Sequence, residues 1–293
     1  MKKTFKKRKF NKKTVFCAIA VFLVVCTVSL LYGNFSLDVE KISIQTDKLP
    51  ESYQNYRIAH ISDYHNRKSK IIDKQILDSL TAEQPDIIVI TGDVVDATYT
   101  DIDVAIDFVE KLCKIAPVYY VTGNHESNVL NGGKDFEGLI NGLVKVGAYV
   151  LRNSKVTIEN SAGDTFTLCG IDDPYFYGDH TQVFQWTDTM CEELSIDKND
   201  FNVLLAHHPE ALSVYSKHGV DLVFSGHAHG GQITLFGKAI TAPDQKTFPP
   251  YTSGLYEMGG TQLVLSRGIG YSVLPLRIFC RPHLVYADFK VSK

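Results

Sequence analysis

The sequence predicts an α/β fold in which two packed sheets carry outer helices, standing behind one apolar membrane-spanning helix. Three observations carry this reading. Nearly continuous apolar runs at Arg57–Ser62, Asp86–Thr91, Val118–Thr122, Asn202–Ala206 and Asp221–Ser225 read as strands buried on both faces. Amphipathic segments of helical period lie between them, the signature of βαβ units. An uncharged stretch, Val15–Tyr32, precedes them all. With 293 residues the chain suits one large α/β domain, or two small ones.

The charge of the chain is uneven. The formal total is −3, yet Lys2, Lys3, Lys6, Lys7, Arg8, Lys9, Lys12 and Lys13 crowd residues 1–13 without an acid. The apolar segment that follows turns this basic tip from a nucleic-acid signal into a topology determinant near anionic lipid, and no nucleic-acid partner is expected. Eighteen residues at a 1.5 Å rise just span a bilayer core of ~30 Å. Lysines before the segment and none directly after it place the amino terminus in the cytoplasm and the rest of the chain outside. A cleaved secretory signal is the competing reading; the length of the apolar segment and the lack of a small-x-small site near Ser29–Ser36 argue against it. The expected organisation is a basic cytoplasmic tip (1–13), a transmembrane anchor (14–32), a linker with an edge strand at Val39–Ile44 (33–55) and one domain (56–293), in a single-pass protein of the cell membrane with its domain extracytoplasmic.

Each later element has its own signal. Ile72, Ile76 and Leu80 recur at helical spacing in Lys70–Glu83. Val104, Phe108 and Leu112 do so in Asp101–Lys114, with Thr100 as expected N-cap. Pro209 opens a helix running to His218. Ala148–Gly170 reads as three short strands with a turn at Asn160–Asp164, and Gly231–Phe289 as β and loop. The six cysteines (17, 26, 113, 169, 191, 280) have no CxxC spacing. They form neither a disulfide scaffold nor a thiolate site, and one disulfide among the last four stays open.

Every buried run ends in a polar cluster: Asp63-Tyr64-His65, Gly92-Asp93, Gly123-Asn124-His125-Glu126, His207-His208 and Gly226-His227-Ala228-His229. Open α/β sheets bind ligands beyond the carboxyl ends of their strands, so neighbouring strands would pool these side chains. Imidazole and oxygen donors without thiolate suit Mn²⁺, Fe or Zn²⁺. The i, i+2 spacing of Asp63/His65 and of His227/His229 would aim each pair one way along an extended strand. Seven donors, Asp63, His65, Asp93, Asn124, His207, His227 and His229, exceed one metal's need and fit two ions that share a carboxylate.

This ordered series resembles the calcineurin-like metallophosphoesterase superfamily over about Tyr56–Phe289. Ser62-Asp63-Tyr64-His65-Asn66, Gly226-His227-Ala228-His229-Gly230-Gly231-Gln232 and Ser266-Arg267-Gly268-Ile269-Gly270 are similar to its bacterial membrane-associated or exported branch. The resemblance implies a four-layer α/β/β/α sandwich. It implies one metal held by Asp63, His65, Asp93 and His229, and a second by Asp93, Asn124, His207 and His227, with Asp93 bridging. It implies that His125, oriented by Asp96, protonates the leaving oxygen or stabilises its charge. The expected activity is hydrolysis of phosphate esters, mono- or diester, by a hydroxide bridging two divalent ions, Mn²⁺ first with Fe or Zn as alternatives. Location makes a phospholipid or a cell-envelope polymer the expected partner.

Departures narrow this. Ala97 stands where the serine/threonine protein phosphatases carry arginine, which argues against phosphoprotein substrates. Tyr64 and His283 depart from the branch with an expected change in packing alone. His60 is read as facing the core, His208 as pointing away from His207 with a substrate contact as the alternative, His180 and His218 as surface residues, and Arg267 as either a phosphate contact or a solvated or ion-paired arginine. Two other functions fit the series less well. A pyrophosphatase acting on nucleotide-linked lipid precursors needs the cytoplasmic face, and a non-catalytic scaffold needs lost ligands.

Overall fold

The computed structural model describes residues 11–235, 238–245, 247–271 and 275–292. Lys2, Lys3, Lys6, Lys7, Arg8 and Lys9 of the basic tip lie outside the described residues. The chain begins with α1 (Lys12–Phe35), capped by Asn11, whose Oδ1 accepts from the Lys13 N–H at 3.1 Å. Among the described residues it is the one helix long and apolar enough to cross a membrane, and its apolar side chains project free of the domain. The elements β1 (Asp38–Thr46), β2 (Arg57–Ile61), α2 (Lys70–Glu83), β3 (Ile87–Thr91), α3 (Ile102–Cys113), β4 (Val118–Val121), α4 (Asn124–Asn131), α5 (Phe136–Lys145) and β5 (Tyr149–Val150) follow. Then come β6 (Ser154–Glu159), β7 (Thr165–Gly170), α6 (Val183–Glu193), β8 (Asn202–Leu205), α7 (Leu212–His218) and β9 (Leu222–Ser225). A small hairpin, β10 (Thr234–Leu235) and β11 (Lys238–Ala239), precedes β12 (Gly254–Met258), β13 (Thr261–Leu265) and β14 (His283–Val291).

Two six-stranded sheets result, in the orders β1-β14-β2-β3-β4-β5 and β12-β13-β9-β8-β7-β6. The strands β2 to β5 run parallel, as do β7, β8, β9 and β13. One apolar core lies between the sheets, where Val89, Val121 and Phe289 of the first meet Phe166, Leu205 and Phe224 of the second. A second core packs α2, α3, α4 and α5 on the first sheet, and a third packs α6 and α7 on the other. The layers are therefore α/β/β/α. Each fully buried large apolar side chain contributes about 1.5–3 kcal/mol.

Several sequence expectations shift for identifiable reasons. Helix α3 takes Asp101 as N-cap, not Thr100, because the Asp101 Oδ1 accepts from the Val104 N–H at 3.3 Å while the Thr100 hydroxyl donates back to the Asp96 carbonyl at 2.8 Å. Pro209–His218 splits into a 3₁₀ turn, Pro209–Ala211, and α7. The three short strands of Ala148–Gly170 serve different sheets: β5 closes the edge of the first, while β6 and β7 pair in the second. The edge strand is longer than expected and pairs with β14 from Asp38 to Thr46, so it belongs to the first sheet throughout. All six cysteines are free. Tyr64 stacks on Phe108 with ring centroids 4.0 Å apart, and His283 is buried with Nε2 at 2.9 Å from Glu40.

Candidate metal centre

Parallel strands of both sheets end at the same place because β3 and β8 pack across the central core. The chain then turns sharply. Asp63 (φ 53°), His65 (φ 49°), Asp93 (φ 53°), His227 (φ 66°) and His229 (φ 50°) all occupy the left-handed region. Non-glycine residues there cost of order 1–3 kcal/mol each and persist only where the surroundings impose them. The surroundings are visible. The Asp63 N–H donates to the Gly92 carbonyl at 3.1 Å, the His65 N–H to the Asp93 carbonyl at 3.0 Å, and the Asn66 N–H to the Val94 carbonyl at 3.1 Å. These bonds extend the β2/β3 pairing into the loops. The expected extended-strand alignment is thus corrected: β2 stops at Ile61 and β9 at Ser225, and turns rather than strand alternation bring each pair together.

Glycines make room for the carboxylates. A Cβ on Gly123 would stand 2.3 Å from the Asp93 Oδ1, and one on Gly226 would stand 2.5 Å from the Asp63 Oδ2. Glu126 locks the two loops together. Its buried carboxylate accepts from the N–H groups of Gly123 (2.7 Å), Asp93 (2.8 Å) and Val94 (2.8 Å). Burial and the Asp93 charge push its pKa up to about 8, against the pull of those donors.

Donor atoms of Asp63, His65, Asp93 and His229 lie within 4.8 Å of one another, as do those of Asp93, His207 and His227. The Asp93 Oδ2 belongs to both groups, 3.5 Å from the His65 Nε2 and 3.3 Å from the His207 Nε2. The Asp63 Oδ1 is 3.3 Å from the His229 Nε2. The Asn124 Oδ1 is 3.2 Å from the His207 Nε2 and 2.9 Å from the His227 Nδ1. His207 is held by its Nδ1, which donates to the Thr91 carbonyl at 2.6 Å and leaves the Nε2 lone pair facing the other donors.

The donor set fits a cation. The Nε2 atoms of His65 and His229 face each other at 3.1 Å, and burial holds both rings neutral: the His65 pKa falls to about 3, and that of His229 falls well below its usual value. Two buried carboxylates stand beside them. Burial raises the Asp63 pKa, whereas at Asp93 the attraction of His207 and His125 outweighs burial and keeps the carboxyl ionised. At His207 burial is likewise outweighed, by Asp93 and Asp63, and its pKa rises to about 10. The centre therefore calls for positive charge, which a proton on His207 or a divalent ion supplies.

His125 and Asp96 stand beside this group. The His125 N–H donates to the Asp93 Oδ1 at 2.8 Å. Its Nδ1 accepts from the Ala97 N–H at 2.9 Å, which leaves the ring proton on Nε2, and the Asp96 Oδ2 is 3.7 Å from that Nδ1. Asp96 also lies 3.7 Å from the His65 Nδ1, and its Oδ1 caps the Thr98 and Tyr99 N–H groups at 2.8 Å.

Other residues were missed from sequence. Asp244 accepts from the His227 Nε2 at 2.7 Å and from the Tyr175 hydroxyl at 2.7 Å. His208 does not face away: its ring lies 4.4 Å from that of His227, clamped between Asp173 (2.9 Å) and Glu210 (2.7 Å). Those two carboxylates outweigh burial and raise its pKa well above 6.5. His60 is buried and bonds the Thr91 hydroxyl at 2.8 Å. His180 is exposed, and His218 is half-buried and pairs with Asp188. Arg267 is ion-paired with Asp38. Arg277, fully buried, donates to the carbonyls of Gly270 (2.9 Å) and Arg267 (2.8 Å) and approaches the His229 Nδ1 at 3.5 Å.

The family model described as calcineurin-like phosphoesterase matches residues 56–231. A Bacillus subtilis protein named uncharacterized metallophosphoesterase YkuE is 28% identical over 269 residues, covering 87% of this chain and 86% of that protein. An Aquifex aeolicus metallophosphoesterase, also named uncharacterized, is 30% identical over 275 residues, covering 90% of this chain and 98% of that one. A Danio rerio protein named transmembrane protein with metallophosphoesterase domain is 29% identical and covers 89% of this chain and 60% of its own length.

Proposed function

This chain belongs to the calcineurin-like phosphoesterase family, and we propose that it hydrolyses phosphate esters at the outer face of the membrane with two divalent ions. It is a metal-dependent phosphoester hydrolase. Asp63, His65, Asp93 and His229 hold one ion, and Asp93, Asn124, His207 and His227 the other. The observation that carries this reading is the position of the Asp93 Oδ2, within 3.5 Å of an imidazole nitrogen from each set. The ions, Mn²⁺ in preference to Fe or Zn, supply Lewis acidity toward the phosphoryl group and an acidified water.

The protein's own groups do the rest. Asp93 is fixed through both the His125 N–H and Glu126, so its carboxylate does not reorient as charge builds. Asp244 holds the Nε2–H tautomer of His227 and presents the Nδ1 to the centre. His125, with its proton on Nε2, serves as the donor to the leaving oxygen, and Asp96 shapes the loop that carries the Ala97 N–H. The helix α1, the lysines before it and the transmembrane name of the Danio rerio relative support a single-pass anchor with the domain outside the cell. The proposed tip (1–13) and anchor (14–32) stand as drawn, while β1 pairs with β14 and draws the segment 33–55 into the domain of 56–293.

The test is Mn²⁺-dependent cleavage of a chromogenic phosphodiester and monoester by the full-length chain in detergent. Asp93→Asn abolishes it. His125→Ala keeps its metal and loses about 10²–10⁴-fold in turnover. Unchanged turnover in both variants overturns the proposal.

A further inference from the structure

A cleft of about 980 Å³ joins the candidate metal centre to the anchor. His65 and His125 line it together with Tyr99, Tyr271 and Phe35, the last residue of α1. The anchor reaches the fold with no free linker. Gly33 and Asn34 are already buried against it, and a Cβ on Gly33 would stand 3.2 Å from the Arg277 carbonyl. The apolar stretch ends at Tyr32, and three further helical residues rise only ~4.5 Å. The cleft wall therefore begins at the depth where lipid headgroups sit.

Its surroundings match that depth. On a second cleft against the same end of α1, the Arg281 guanidinium, ion-paired with Asp38, lies 5.1 Å from the centre of the Tyr32 ring, and Phe279 beside Gly33 is 66% exposed, so aromatic rings flank the helix end as they do at bilayer interfaces. Tyr99 is held at the rim. Its N–H donates to Asp96 and its carbonyl accepts from the Asn66 side chain at 2.8 Å, yet the residue is 84% exposed. A fixed backbone that displays a bare aromatic ring beside a phosphoesterase centre is built for something apolar attached to a phosphate.

Resting on the proposed phosphoesterase function, we infer that the substrate is a lipid phosphate ester drawn from the leaflet into which α1 ends. Its phosphorus sits beside His65 and His125, and its chain lies along Phe35, Tyr99 and Tyr271. The step is hydrolysis: water oxygen bonds to phosphorus, the P–O bond to the leaving group breaks, the leaving oxygen takes up a proton, and the water gives one up. No other reactant is needed.

The experiment uses the full-length chain in phosphatidylcholine vesicles with Mn²⁺. It compares two lipids, phosphatidic acid and phosphatidylglycerol, with their water-soluble counterparts, glycerol 3-phosphate and glycerophosphoglycerol, and includes a chromogenic ester. At least one lipid is cleaved with a kcat/KM about tenfold or more above its tail-less counterpart, the gain from burying roughly two methylene groups. In Tyr99→Ser, whose ring contributes no core packing, the lipid-to-soluble ratio falls at least threefold. Equal rates for the lipid and soluble esters, or cleavage of the chromogenic ester with neither lipid cleaved, overturn the inference and leave the phosphoesterase reading standing. A chain inert toward every ester overturns that reading first.

Discussion

Asn34 and Arg277 exchange two hydrogen bonds across the fold: the Asn34 Nδ2 donates to the Arg277 carbonyl at 2.9 Å, and the Arg277 N–H donates to the Asn34 Oδ1 at 2.8 Å. The Asn34 carbonyl accepts from the Arg67 guanidinium as well. The guanidinium of Arg277 then reaches toward the His229 Nδ1. One buried arginine thus connects the end of α1 to a candidate metal ligand.

Truncating that link leaves buried backbone groups unpaired. Asn34→Ala is expected to lower the unfolding free energy of the solubilised chain by about 1–3 kcal/mol, because a stranded donor or acceptor loses its hydration without replacement. Thermal unfolding of wild type and variant checks this, and equal midpoints would refute it.

Gly123 permits the approach of Asp93 by having no side chain. Gly123→Ala puts a carbon 2.3 Å from the Asp93 Oδ1 and 2.7 Å from its backbone nitrogen. The Asp93 carboxylate must move, and Mn²⁺ affinity measured by calorimetry should fall about tenfold or more.

Asp244 touches no proposed ion yet fixes the His227 ring through a 2.7 Å bond. Outer partners of this kind are worth about 10–100-fold in metal affinity. Asp244→Asn should weaken binding at one of the two ions by that factor and leave the other in place, a split that metal titration resolves.

Asp73 carries a pH signature remote from the ions. Burial raises its pKa from 3.8 to about 6 against the hydrogen bond from the Tyr64 hydroxyl. The folded state therefore binds the proton more tightly than the unfolded state. Its contribution to stability is full below pH 3.8 and is lost as pH rises through about 6. Asp73→Asn should melt close to wild type near pH ~4 and above it near pH ~7. A difference that does not change between the two pH values contradicts the assignment.

The candidate centre was legible because buried parallel strands write themselves as apolar runs, and a polar cluster closing such a run stands out. Asp173 follows β7 by the same rule and was overlooked. Asp244 gives no such signal: it sits in the loop between β11 and β12, and only the fold brings it to His227. The alignment of Asp63 with His65 was expected from strand alternation, whereas left-handed turns produce it, because the strand ends two residues earlier at Ile61. Docking of the anchor was equally invisible, since Asn34 meets Arg277 across 243 positions.

The central claim is that Asp93 lies between two ions. Anomalous diffraction from Mn²⁺-loaded crystals tests it directly. The account predicts two peaks about 3.5–4 Å apart, one beside Asp63, His65 and His229 and one beside Asn124, His207 and His227, with Asp93 touching both. A single peak, or peaks that Asp93 does not bridge, would contradict it.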